Sequence, residues 1–233
     1  MEKRKLPELR QIVLLTGNLE GTLEAARSAF GVPHGHRDEE GMAAIGFTHE
    51  IFGFDRTYIE VCEPLRSDSG AASKLRKTGD SGFMIVVQVA DSAGMVSRAS
   101  RLGIEPLFVK DHHGSPISQW HPRDFGVLAE FDELVPPESW HFAPQVYAGR
   151  STAVVNDIVS AHVSVPDPLA MAARWAAVVD AEVDGATVRL GDRTIEFEDV
   201  DGVRGLYAVD CLAAQDSGRG TVLSLCGVQF TLI

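Results

Sequence analysis

Residues Gly82–Gly103 read GFMIVVQVADSAGMVSRASRLG. Phe83–Val89 is apolar and largely β-branched, too short for a buried helix and suited to a strand. Asp91 follows, a residue whose carboxylate accepts from the N–H groups that open a helix. Met95, Val96, Ala99 and Leu102 then recur at helical spacing, and Gly103 ends the pattern. The stretch predicts a strand, a capped turn and an amphipathic helix.

The same device occurs twice more. Gln11–Leu15 forms a short apolar run, Asn18 caps, Leu19, Leu23, Ala26 and Phe30 make the stripe, and Gly31 stops it. Ile158–Val165 is the third strand, with Asp167 as cap and Pro168 at the first helical position. Leu169, Ala172, Trp175, Ala176 and Val179 are its stripe. Strand-like segments follow each helix: 43–47, 50–54 and 57–63; then 106–110, 117–121 and 126–131; then 187–190 and 193–198. A fourth copy is truncated: strands at 206–212, 221–225 and 228–232 flank a turn at 215–220, with no room for a helix. Self-similarity at roughly 50 residues signals a repeat architecture.

The repeat predicts an α+β fold of tandem strand–helix–strand modules, the fourth truncated. The expected division is a first domain over 8–133, a linker over 134–152, and a second, degenerate domain over 153–233. Pro136 and Pro137 break regular structure in the linker. Trp140, Phe142 and Tyr147 are too apolar for a free tether and are expected to pack.

The 233 residues carry a net charge of −12. That balance points away from nucleic acid and from anionic membrane surfaces, both of which recruit basic patches. No run approaches the roughly 18 apolar residues of a membrane span. The start, Met-Glu-Lys-Arg-Lys, lacks the apolar stretch of a signal peptide. Cys62, Cys211 and Cys226 have no CxxC spacing and suit reduced thiols. The expectation is a soluble, cytoplasmic protein, monomer or homodimer, with a small-molecule ligand.

The repeat, and the final strands Tyr58-Ile59-Glu60-Val61, Val127-Leu128-Ala129-Glu130-Phe131 and Thr194-Ile195-Glu196-Phe197, resemble the vicinal-oxygen-chelate superfamily. That group includes glyoxalase I, methylmalonyl-CoA epimerase, extradiol dioxygenases and bleomycin-resistance proteins. The resemblance covers nearly the whole chain and is stronger over 8–133. It implies an α+β fold of tandem βαβββ modules forming two cupped mixed sheets with outer helices, with metal ligands on the first and last strand of each module. Transferred to this sequence, those positions are Gln11 and Met84, each seven residues before a cap, and the acidic Glu60 and Glu130. In the second half they are Ser160, Glu196, Tyr207 and Thr231, too few donors for a divalent ion, so that half is expected to be a degenerate copy.

Gln11, Glu60 and Glu130 would supply hard oxygen ligands suited to Mg, Mn, Co, Ni or Zn. Met84 departs from the pattern, because metal-binding members usually carry His there and a thioether more often fills space. The first functional reading is therefore a glyoxalase-like isomerase or lyase, divalent-metal-dependent, acting on a small oxygenated substrate in the first cup. Glu60, Glu130 and His121 are its candidate acid–base groups, and Phe83, Met84, Trp120, His49 and Arg123 its candidate substrate contacts. The second reading is a metal-free sequestering protein whose cup is lined by Phe54, Phe83, Met84 and Trp120. An extradiol-type dioxygenase ranks third, since Gln11 and Met84 stand where its histidines belong. His34, His36, His112 and His113 read as loop residues, His141 and His162 as structural ones, and Arg56 as a surface charge or a carboxylate contact.

Overall fold

The computed structural model describes residues 5–137 and 152–233. Trp140, His141, Phe142 and Tyr147 lie outside the described residues. The first module comprises β1 (Glu8–Leu15), α1 (Leu19–Phe30), α2 (Glu39–Ala44), β2 (Phe47–Gly53) and β3 (Tyr58–Pro64). After α3 (Gly70–Thr78) come β4 (Ser81–Gln88), α4 (Ser92–Arg101), β5 (Phe108–His112), β6 (Ser115–Trp120), α5 (Pro122–Phe125) and β7 (Leu128–Asp132). The third module is β8 (Val155–Ser164), α6 (Pro168–Val179), β9 (Glu182–Asp184), β10 (Thr187–Leu190) and β11 (Arg193–Glu198). The fourth is β12 (Gly205–Ala213), β13 (Val222–Leu225) and β14 (Val228–Leu232), with a single 3-10 turn in place of a helix.

The predicted caps are present. Asn18, Asp91 and Asp167 accept from the backbone N–H of Gly21, Gly94 and Ala170. Residues 43–47, expected as a strand, begin inside α2 instead. Asp38 caps that helix by accepting from Gly41 N at 3.0 Å, a local signal that overrides the apolar run behind it.

In each module the first strand pairs in parallel with the last: β1 with β3, β4 with β7, β8 with β11, β12 with β14. Parallel neighbours need a crossover, which the helix supplies in the first three. Register then sorts side chains by face. In β1 and β3, Ile12 and Leu14 pair with Ile59 and Val61, while Val13 pairs with Glu60. In β4 and β7, Ile85 and Val87 pair with Ala129 and Phe131, while Val86 pairs with Glu130. The strands make two seven-stranded mixed sheets, ordered β2-β3-β1-β4-β7-β6-β5 and β13-β14-β12-β8-β11-β10-β9, giving an α+β fold of tandem modules.

Two compact units interleave the halves of the sequence. Among the described residues, one comprises 5–10, 84–137 and 159–206; the other 11–83, 152–158 and 207–233. The first has an aromatic centre: Phe125 lies 5.2 Å from Trp175 and 5.8 Å from Trp120, and Phe131 lies 5.4 Å from Trp175. Trp175 Nε1 donates to Phe125 O at 2.9 Å, so its one polar atom is satisfied inside the core. Arg193 and Glu8, both buried, pair at 2.7 Å. The second unit packs Phe30 on Phe230 at 4.9 Å and on Phe54 at 6.4 Å. Thr57 donates its hydroxyl to Asp157 at 2.5 Å.

Trp175→Ala should lower unfolding free energy by about 3–5 kcal/mol, the cost of emptying a fully buried aromatic site. Denaturant titration measures it; a loss under 1 kcal/mol would contradict the packing described.

Candidate functional site

Each candidate carboxylate stands on the polar face of a parallel strand pair. In the unit containing β1 to β3, Gln11 Nε2 donates to Glu60 Oε2 at 2.7 Å. His49 Nδ1 meets Glu60 Oε1 at 2.6 Å. The backbone N–H of Asp38 donates to His49 Nε2 at 2.9 Å. A backbone amide can only donate, so Nε2 is the acceptor and Nδ1 carries the proton given to Glu60. All three side chains are at least nine-tenths buried.

The loop bearing Asp38 is itself held. Glu50, 2% exposed, accepts from Arg27 at 2.7 Å, from Gly35 N at 2.8 Å and from Arg37 Nε at 2.9 Å. A Cβ on Gly35 would stand 2.2 Å from Ile51 O, so only glycine lets the loop lie this close to β2. Burial pushes the Glu50 carboxyl up, but Gly35 N–H, Arg37 and Arg27 outweigh it and hold the group below its ordinary value.

In the other unit Gln119 and Glu130 are direct cross-strand partners, and Gln119 Nε2 donates to Glu130 Oε2 at 2.6 Å. The same nitrogen lies 3.7 Å from Met84 Sδ, and Met84 is 8% exposed, so its thioether fills space beside the amide. Asp132 shares the Glu130 face and is fully buried. Among the described residues neither of its carboxyl oxygens has a hydrogen-bond partner. Burial raises this carboxyl well above the aspartate range, the Glu130 carboxylate raises it further, and Arg10 and Lys110 pull partly back.

The remaining candidates are placed differently. Trp120 is fully buried among Phe125 and Phe131, on the opposite face of β6 from Gln119, and its Nε1 donates to Ser118. His121 is exposed and caps α5, its Nδ1 accepting from Arg123 N at 3.1 Å. Arg123 is exposed and bonds its neighbour Asp124. The Phe83 ring lies 6.1 Å from Phe47, and Phe54 sits inside the Phe30–Phe52 cluster. Arg56 Nε is 4.0 Å from Asp157. Gln119 falls within the expected strand 117–121 and has no assigned role in the sequence reading. The usable signal was its place in the strand facing Glu130. Asp38 and Glu50 act through loop geometry that has no short sequence signature.

No family profile matches the chain, and no curated protein matches it. Among solved structures, a variant of Streptomyces coelicolor methylmalonyl-CoA epimerase in complex with 2-nitronate-propionyl-CoA is 25% identical over 58% of this chain and all of its own, with a TM-score of 0.50. A second variant of that epimerase, with the same ligand, matches equally. A mutant 4-hydroxymandelate synthase from Streptomyces coelicolor is 14% identical, yet matches 91% of this chain and 72% of its own with a TM-score of 0.69. The chain has the tandem vicinal-oxygen-chelate fold.

Within that fold the chemistry of Gln11 and Glu60 fits a divalent ion. Gln11 donates its amide nitrogen to the carboxylate, and an amide oxygen is itself a hard donor of the kind divalent ions take. Each Glu60 oxygen accepts one of these two bonds and retains a second lone pair. His49 supplies the outer hydrogen bond that orients a ligating carboxylate.

Two titrations of opposite sign follow. Glu50 is depressed, so its contribution is present above the ordinary carboxylate value and lost as pH falls through the lower folded value. Glu50→Gln should lower Tm at about pH 7, with the gap to the parent narrowing towards about pH 3. Asp132 is raised, so stability falls as pH climbs from the ordinary aspartate value of about 4 towards the folded value. Asp132→Asn should raise Tm more at about pH 8 than at about pH 5. Thermal melts across that range check both; parallel pH curves for parent and variant would refute the assignment concerned.

Proposed function

We propose that this protein is a glyoxalase-like, divalent-metal-dependent isomerase or lyase acting on a small oxygenated substrate. The observation that carries the reading is the buried Gln11–Glu60–His49 arrangement: an amide and a carboxylate side by side, the carboxylate fixed from behind. Gln11 and Glu60 would hold the ion, with Glu130 as third ligand by its sequence position or as the base. A bound Mg, Mn, Co, Ni or Zn ion would stabilise negative charge on adjacent substrate oxygens.

The protein's own contribution is positional and acid–base. Glu130, 5% exposed and held by Gln119, would take a proton from a carbon beside a carbonyl and return it or hand it on. His49 would keep the Glu60 oxygens in one orientation. Similarity to an epimerase bound to a nitronate of an acyl-CoA supports proton chemistry beside a carbonyl.

A metal-free sequestering role is the second reading, favoured by one observation, the space-filling Met84. The described residues hold no helix long and apolar enough to cross a membrane. All three cysteines are buried free thiols, which supports a reducing, cytoplasmic setting.

Metal analysis of chelator-free protein tests the proposal. The expected result is bound divalent metal in the parent and reduced content in Glu60→Gln and Glu130→Gln. His49→Gln should weaken metal affinity about 10–100-fold while the fold persists. No metal under any divalent supplement would favour the sequestering protein, and metal content indifferent to Glu60 would overturn the assignment of Glu60 as a ligand.

A further inference from the structure

The parallel pair β8 and β11 carries a polar face that the proposed chemistry does not use. Ser160 pairs with Thr194, His162 with Glu196 and Ser164 with Glu198. The face continues through Arg189 and Thr187 on β10 and Glu182 and Asp184 on β9. The alternate residues Ala161, Val163, Ile195 and Phe197 are at most 2% exposed, and the Phe197 ring lies 6.2 Å from Trp175. Alternation therefore confines His162, Glu196 and Glu198 to one side, away from the core.

On that side His162 Nδ1 lies 3.2 Å from Glu198 Oε1 and 3.9 Å from Glu196 Oε2. One ligand atom from each of the three lies within 4.8 Å of the other two. A first-row cation with bonds of about 2.0–2.2 Å needs donors somewhat closer than that. The two glutamates, 39% and 49% exposed, have room to close in, whereas the histidine, 15% exposed, is fixed. Ser160 and Thr194 hydroxyls both reach Glu196 Oε1 at 3.4 Å. Arg189, the guanidinium of this face, lies 3.4 Å from Asp184.

We propose that His162, Glu196 and Glu198 form a divalent-metal site confined to this single module. One imidazole and two carboxylates suit Zn, Co, Ni or Mn better than Mg or Ca. The dication would offset repulsion between two carboxylates on successive same-face positions of one strand. The site differs from what the family resemblance implies, which draws ligands from two modules and places Ser160, not His162, at the first-strand position. His162, expected to be structural, becomes the anchoring ligand.

Titration of the metal-stripped full chain with Co2+, followed by d–d absorption and displacement with Zn2+, tests the site. His162→Gln, Glu196→Gln and Glu198→Gln should each remove one Co2+ equivalent or weaken its binding at least about tenfold. Glu60→Gln should leave that equivalent in place, which separates this site from the one proposed on β1 and β3. Glu198 is exposed, so its variant stays folded and guards against loss of structure. Binding that is unchanged in all three variants, or a parent that takes up no Co2+, would overturn the proposal.

Discussion

Parallel pairing of the first and last strand is the constraint from which the rest follows. It demands a crossover and fixes register, so one residue in two turns away from the core. In β1 and β3 that alternation buries Ile12, Leu14, Ile59 and Val61 on one face and sets Glu60 on the other. In β8 and β11 it buries Ala161, Val163, Ile195 and Phe197 and turns out His162, Glu196 and Glu198. The same backbone rule thus yields one buried carboxylate arrangement and one half-open cluster.

What distinguishes the two is the support behind them. Glu50 gathers Arg27, Arg37 and the Gly35 amide, which fixes the loop that carries Asp38. Asp38 N–H sets the proton on His49, and His49 sets the Glu60 carboxylate. A chain of satisfied, buried polar groups rigidifies in this way because leaving any one unpaired is costly. The β8–β11 face has two short hydroxyls in the equivalent place.

The modules were legible because caps and periodicity are local. Asn18, Asp91 and Asp167 announced three helices, and the strands at 187–190, 193–198 and 228–232 fall where alternation put them. The helix α2 was missed because its cap, Asp38, precedes residues with a strand-like apolar run. Trp120 was expected to line the cup, but alternation along β6 buries it against Phe125 and Phe131 and puts Gln119 beside Glu130. The part His49 plays in holding Glu60 has no sequence signal, since its bonds join residues 38, 49 and 60, brought together by pairing of β2 with β3. Long-range polar contacts of this kind have no sequence period to betray them.

The central claim is that Glu60 is held in place by a histidine whose own proton is fixed from the far side. Long-range proton–nitrogen NMR of the imidazoles reads this directly. The account predicts that His49 appears with the proton on Nδ1 and that its resonances shift in Glu60→Gln while those of His162 stay. A proton on Nε2, or a His49 signal indifferent to Glu60, would contradict it.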